Sequence, residues 1–314
     1  MIVNKLYFKI LCKQLNGIRY KNFCILHKKY FDFKKQKILE RLKFKIVKHK
    51  LFTEYIKKNY RIIIINLEKI TYEIDNIIVD LYNGRVPCWK IHESIRDAFK
   101  NKNNHLVYLK SLLNIIQKNL INIKKCKKTT DLYEHTYNLT LIYDAILKNI
   151  VGQSVLDIGT CTGILPIIIK KRFPHMKVIG GDICALENAK ILSKSENVNV
   201  SFIHLNLLEV KKLIKKYDTV VCSHVFEHFK KGMNEKIMTN LLTLTKKRLI
   251  VVVPFEKKHK QIDHLQKFNE KKLLNLGLKF YDKKRLRQIK ISLEDNMLII
   301  EKERERCLKN NHLK

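Results

Sequence analysis

Val155-Leu-Asp-Ile-Gly-Thr-Cys-Thr-Gly163 decides the reading of this chain. A short apolar run ends in an acid, Asp157. Two glycines four residues apart, Gly159 and Gly163, then lead into a helical pattern that runs to Arg172. Gly159 lets the chain turn sharply and lets a ligand approach the backbone. Gly163 opens the helix and lets it pack closely on the strand. Asp157 places a negative charge just before the turn, which suits a cationic or amine-bearing ligand and suits a pyrophosphate poorly. A dinucleotide site wants G-x-G-x-x-G, with helix N-terminal amides facing phosphate. The spacing and the acid therefore favour a sulfonium amino acid over a dinucleotide.

Working outward, short apolar runs alternate with helical stretches. Strands are expected at 154–158, 177–182, 198–204, 218–222 and 248–253, with 278–281 and 297–302 closing the sheet. Helices are expected at 131–150, 163–172, 185–195, from 222 to 244, and at 265–276, with a weaker one at 207–215. Such alternation implies an α/β fold: a Rossmann-like, seven-stranded, mostly parallel sheet with helices on both faces. Ligands bind such sheets beyond the carboxyl ends of the strands.

Each motif falls at a strand end. Asp182 ends the second strand, 25 residues after Asp157, where an acid can accept both hydroxyls of a ribose; the competing role is a helix N-cap. Asn206 follows the third strand, as an adenine partner or as a turn-former. The fourth strand runs into Ser223-His-Val-Phe-Glu-His-Phe229. On a helix, His224 and His228 would share a face, but no third ligand adjoins them, and no metal is expected. His228 is instead a candidate general base, since a neutral imidazole suits deprotonation of a hydroxyl. After the fifth strand, the polar stretch from Val253 to Phe268 is the natural substrate loop, and its His264 is a second candidate base or a helix cap through Asp263.

Residues 1–130 form a separate region, read as mainly helical and of unknown role, ahead of a domain at 131–314. Helices are expected at 70–81, 92–99 and 106–123, with the basic run Lys124–Lys128 as an exposed linker. The formal net charge of +35, from 64 Lys and Arg against 29 Asp and Glu, attracts anions, nucleic acid among them. It also fits a compositional bias, since Lys, Ile and Asn are abundant throughout. The eight cysteines include no C-x-x-C pair, which argues against a zinc ribbon and fits a reducing, cytoplasmic setting. Cys161, Cys184 and Cys222 are expected to crowd one pocket rim. No apolar run is long enough to span a membrane. The first acid is Asp32, so the basic N-terminus leaves organelle targeting open.

At these residues the sequence resembles the class I S-adenosylmethionine-dependent methyltransferases. It is most similar to the group with a Leu-Glu-His-like signature, here Phe226-Glu227-His228, which includes ubiquinone-pathway and many small-molecule O-methyltransferases. Gly-Thr-Cys-Thr-Gly-Ile-Leu-Pro166, Val-Pro-Phe-Glu256 and His264-Leu-Gln-Lys-Phe268 also resemble methyltransferases that modify the glycan of mycofactocin. The resemblance covers 131–302. It implies S-adenosylmethionine as cofactor, its methionine part held by Asp157, Gly159 and Gly163, with Cys161 in place of the family's middle glycine. It places Asp182 on the ribose and Ile183 and Asn206 on adenine, with Thr160, Leu207, Ser223 and His224 completing the contacts. The expected activity is O-methylation of a small-molecule or sugar hydroxyl. The charge supports RNA methylation as an alternative, although no Asn-Pro-Pro-Tyr-like motif follows the fourth strand and Cys222 lacks a proline context. Cys161 and Asn206 leave open a third possibility, an inactive cofactor-binding scaffold.

Overall fold

The computed structural model describes residues 5–15, 18–20, 23–27, 31–49, 52–58, 60–65, 102–123, 134–183, 186–210, 215–255, 264–281, 286–292 and 296–302. The chain divides into two compact units, residues 1–115 with 128–135 and residues 116–127 with 136–314.

In the first unit, α1 (Lys5–Gln14) precedes β1 (Ile18–Tyr20) and β2 (Phe23–His27). Then come α2 (Phe33–Arg41), β3 (Lys45–Lys48), β4 (Phe52–Lys57) and β5 (Tyr60–Ile65). The strands form one sheet in the order β1-β2-β5-β4-β3, with only β2 and β5 parallel. Alternate residues Tyr60, Ile62 and Ile64 of β5, with Cys24 and Leu26 of β2, join a buried cluster with Phe8, Leu11 and Leu15 of the α1 segment and Leu39 of α2. This corrects the expectation of a mainly helical region. Ile62–Ile65 is a β-branched run, and such side chains fit a pleated surface better than a helix. The expected helices at 70–81 and 92–99, and the linker at 124–128, lie outside the described residues. Helix α3 (Lys102–Ile121) does form, and buries Leu109, Leu112, Leu113 and Ile116 at helical spacing.

The second unit holds α4 (Glu134–Asn149), β6 (Ser154–Ile158), α5 (Ile164–Arg172), β7 (Lys177–Asp182), α6 (Glu187–Ser195) and β8 (Ser201–His204). They are followed by β9 (Tyr217–Ser223), α7 (Asn234–Leu244), β10 (Thr245–Val252), α8 (Glu270–Leu278), β11 (Leu286–Ser292) and β12 (Met297–Lys302). The sheet has seven strands, ordered β11-β12-β10-β9-β6-β7-β8. Only β12 runs antiparallel to its neighbours. The central strands β6 and β9 are buried along nearly their whole length because both faces are covered. Leu156, Val220, Leu249 and Val251 pack with Ile237 and Leu241 of α7 and Leu273 of α8. The intervening Val155, Val221, Ile250 and Val252 pack with Ile146 of α4 and Ile169 of α5. The two-residue period of a strand thus builds two cores from one sheet.

The expected strand at 278–281 is instead the end of α8 and the turn after it. The sheet's last partner is β11, which forms an antiparallel hairpin with β12. The strand order reverses direction between β6 and β9. That reversal is the switch point where a crevice opens beyond the strand ends.

Candidate active site

The β6–α5 turn is closed onto the end of β7. Gly159 and Thr160 both donate their backbone N–H to Gly181 O, at 2.9 and 3.2 Å. Gly159 (φ 74°), Cys161 (φ 48°) and Gly163 (φ 79°) all lie in the left-handed region. Glycine takes that conformation freely, whereas Cys161 bears a cost of about 1 kcal/mol. Gly163 caps α5, and a Cβ there would stand 2.8 Å from Ala189 Cβ and 3.0 Å from the Phe202 ring. Gly163→Ala combines positive φ with overpacking. It is expected to destabilise the domain by about 2–4 kcal/mol in urea unfolding.

Asp157 is buried at the end of β6. Burial pushes its carboxyl up to about 7; the Thr160 hydroxyl opposes the rise, and the charge of Asp182 adds to it. Thr160 Oγ1 is close enough to act on Asp157 but is buried without a hydrogen-bond partner of good geometry. A cation or amine brought into this corner relieves both groups.

Asp182 Oδ2 accepts the Cys161 N–H at 2.7 Å, so this acid shapes the glycine turn as well as facing the site. It is not an N-cap, because α6 starts behind Leu186. Beside it, Ile183 is 64% exposed, an apolar side chain offered at a strand end. Asn206 forms the turn: its Oδ1 accepts Leu208 N–H at 3.0 Å, and its backbone O accepts Glu209 N–H. Leu207 belongs to the core, which leaves its backbone, not its side chain, for any ligand. Cys222 is fully buried while Cys161 is exposed, so the two do not share a pocket rim; Cys184 lies outside the described residues.

Beyond β9 the helix expected from residue 222 is replaced by a bend at His224 (φ 56°) and a 3-10 turn, Phe226–His228. His224 and His228 therefore do not share a helical face. The side chain of Val225 fills the space next to Gly159, where an added Cβ would lie 2.3 Å from Val225 Cγ2. His224 Nδ1 stands 3.4 Å from Glu227 Oε1. His228 instead meets His264, ring centroids 5.1 Å apart and nearly perpendicular. One donor atom from each of Glu227, His228 and His264 lies within 4.8 Å of the other two, a grouping able to hold a metal ion. The third donor that sequence proximity lacks is supplied by the segment after β10.

That segment is held firmly. Leu265 and Gln266 both donate backbone N–H to Glu227 O, and Gln266 Nε2 donates to Phe226 O at 2.9 Å. Gln266 and Asn234 exchange side-chain hydrogen bonds at 3.0 and 2.7 Å while buried. Phe268 meets Phe226 edge-on, with Lys272 over its ring. Helix α8 is capped by Asn269, not by His264. Sequence reasoning missed Glu227 as a site residue and the Asn234–Gln266 pair entirely. The signal for Gln266 was a polar residue between the two anchors His264 and Phe268. The loop from Glu256 to Asp263 lies outside the described residues.

The strand order and the strand-end acids agree with the Rossmann-like fold that the resemblance to class I S-adenosylmethionine-dependent methyltransferases implies. Residues 155–248 match the model of a family described as a methyltransferase domain. The buried Asp157 carboxyl, the Thr160 hydroxyl that stands against it and the exposed Ile183 beside Asp182 fit a cofactor that joins a charged amino acid to a nucleoside.

Magnesium protoporphyrin IX methyltransferase of Arabidopsis thaliana is 25% identical over 123 residues, 39% of this chain and 39% of that protein. The chain thus matches about two-fifths of that relative's length. Among solved structures, the methyltransferase domain of bacterial CtHen1-C is 19% identical with a TM-score of 0.43, covering 52% of this chain and 96% of that one. Magnesium protoporphyrin IX methyltransferase from Synechocystis PCC 6803 is 15% identical with a TM-score of 0.40, covering 62% and 98%. No helix among the described residues is long and apolar enough to cross a membrane.

Proposed function

We propose that this chain methylates a hydroxyl of a small molecule or sugar, with residues 131–314 as the catalytic domain. The observation that carries the reading is the Glu227, His228 and His264 group, two residues beyond the Val225 side chain that lies over Gly159. Imidazole and carboxylate groups thereby stand beside the turn that receives the methionine part of the cofactor. The bound cofactor supplies an electrophilic methyl on a sulfonium: the acceptor oxygen bonds to it as the sulfur–carbon bond breaks. The protein's task is mainly positioning, because the donor is intrinsically reactive. Asp157, Gly159, Thr160 and Gly163 hold the amino-acid end, Asp182 the ribose, and Ile183 with the 206–207 turn the base. Ser223 and His224 line the approach, and His228 or His264 takes up the hydroxyl proton.

A second reading, RNA methylation, is favoured by one surface. Residues 1–65 carry 18 Lys and Arg against three acids. On the first unit Lys34, Lys37, Lys43, Lys45 and Lys48 are exposed, and Lys37 lies over the ring of Phe33, which is 66% exposed. Cations around an open aromatic ring suit single-stranded nucleic acid.

The test is calorimetry of the full chain with S-adenosylhomocysteine, then methyl transfer across catechols, sugars and RNA. Heat of binding and methylation of a small hydroxyl are expected. Methylation of RNA alone, through a saturable complex that survives about 200 mM salt, would favour the second reading. No heat and no thermal shift at millimolar ligand would leave an inactive scaffold.

A further inference from the structure

We propose that Glu227, His228 and His264 bind a divalent transition-metal ion, and that this ion receives the acceptor hydroxyl. The idea rests on the hydroxyl-methylation reading for its second half only; the ion site stands on two observations of its own.

The first is geometric. One donor atom from each residue lies within 4.8 Å of the others, on three side chains that come from two separate segments. Donors bound to one ion at about 2.0–2.2 Å sit roughly 3–4 Å apart, so modest side-chain rotations close the group. The backbone bonds from Leu265 and Gln266 to Glu227 O fix the two segments against each other, and the Gln266–Asn234 pair braces the second. The site is therefore largely assembled before any ion arrives.

The second is electrostatic. Glu227 is 1% exposed, and neither of its carboxylate oxygens has a hydrogen-bond donor. A buried carboxylate without donors is costly, and native proteins pair such groups or give them a metal. His224 Nδ1 stands 3.4 Å from Glu227 Oε1 and balances the carboxylate only when protonated. Another acid is also near: Glu227 and Asp157 together, after burial itself, push the buried Cys222 thiol up.

The donor set selects the ion. Two imidazoles and one carboxylate favour manganese, iron, cobalt or zinc over magnesium and calcium, which prefer oxygen ligands. Three protein ligands leave coordination positions open, as in catalytic rather than structural sites. His228 is exposed, so the open positions face the side from which an acceptor arrives. An ion-bound hydroxyl loses its proton more readily, and because His228 and His264 are then ligands, water takes their place as the proton acceptor. The resulting oxygen attacks the methyl carbon as the sulfur–carbon bond breaks, and charge balances with no redox step.

The experiment uses the full chain, stripped of metal with a chelator, and titrated with Mn2+ (followed by electron paramagnetic resonance) and with Co2+ (followed by visible absorption). One equivalent per chain is expected. Glu227→Gln and His264→Ala should each weaken binding by at least about a hundredfold, beyond the loss typical of a supporting residue. Affinity for S-adenosylhomocysteine serves as the folding control for these buried positions, and the exposed His228→Ala gives a third variant. A chain that binds S-adenosylhomocysteine but takes up no stoichiometric Mn2+ or Co2+ overturns the ion site. So does unchanged affinity in all three variants. Metal bound without cofactor binding leaves the ion site standing and sinks the methyltransfer reading. Metal bound with transfer rates indifferent to the chelator overturns its role at the hydroxyl.

Discussion

Asp182→Ala is expected to lower affinity for S-adenosylhomocysteine by at least about a hundredfold. Two charge-assisted hydrogen bonds to ribose hydroxyls contribute about 1.5–3 kcal/mol each, and every 1.4 kcal/mol is tenfold. The structure adds a second loss. Asp182 Oδ2 also accepts the Cys161 N–H at 2.7 Å, so alanine frees the middle of the glycine turn, where Cys161 holds a left-handed conformation. Asp182→Asn separates the two effects. The amide oxygen of asparagine can keep the Cys161 bond, but its NH2 donates where a ribose hydroxyl would also donate, so asparagine should restore thermal stability more fully than affinity. Calorimetry and thermal unfolding on the same three proteins check this. Unchanged affinity in Asp182→Ala would show that the ribose lies elsewhere.

The contrast between the two units shows what the sequence could carry. Strands β6 and β7 fall where the apolar runs end in Asp157 and Asp182, because each motif needs a strand carboxyl end and the glycines punctuate it. The parallel sheet was legible for the same reason: each buried strand is a short apolar run, and each helix has its own period. What failed lacked punctuation. In residues 18–65 lysines keep the apolar runs short, and a Lys/Ile/Tyr mixture supports either period until the β-branched content is weighed. The 278–281 segment looked strand-like because Leu278, Phe280 and Tyr281 are apolar, but Leu276 and Phe280 continue the buried face of α8. At the site, individual residues were legible and their juxtaposition was not. His228 and His264 were each readable as bases. That they meet depends on Leu265 and Gln266 bonding to Glu227 O, a long-range contact with no local signature.

The second large effect concerns Asp157, where stability and binding should move in opposite directions. Burial raises its carboxyl from 3.8 to about 7 in the folded, ligand-free protein. Below the unfolded value the group is protonated in both states and costs nothing. As pH rises from about 4 to about 7, the unfolded chain ionises while the folded one keeps its proton. Stability therefore falls by up to about 1.4 kcal/mol per pH unit, to a deficit on the order of 4 kcal/mol that persists above pH 7. Asp157→Asn cannot titrate. Without ligand it should be more resistant to urea than the native protein at pH 8, and the difference should shrink to about 1 kcal/mol near pH 4.5 and vanish below about pH 3. Binding runs the other way. A ligand carrying an ammonium favours the ionised carboxyl, so binding below pH 7 releases a proton. Native affinity for S-adenosylhomocysteine should rise with pH by up to about tenfold per unit until it levels off above 7. Asp157→Asn should show a flat profile and, at pH 8, affinity at least about tenfold weaker, the loss of one charge-assisted contact. Calorimetry in buffers of different ionisation enthalpy detects the proton directly. A variant neither more stable nor weaker in binding at pH 8 would remove Asp157 from the cofactor site. A stability difference independent of pH would instead locate the effect in packing, because only a titrating carboxyl can make the advantage of asparagine appear as the pH climbs.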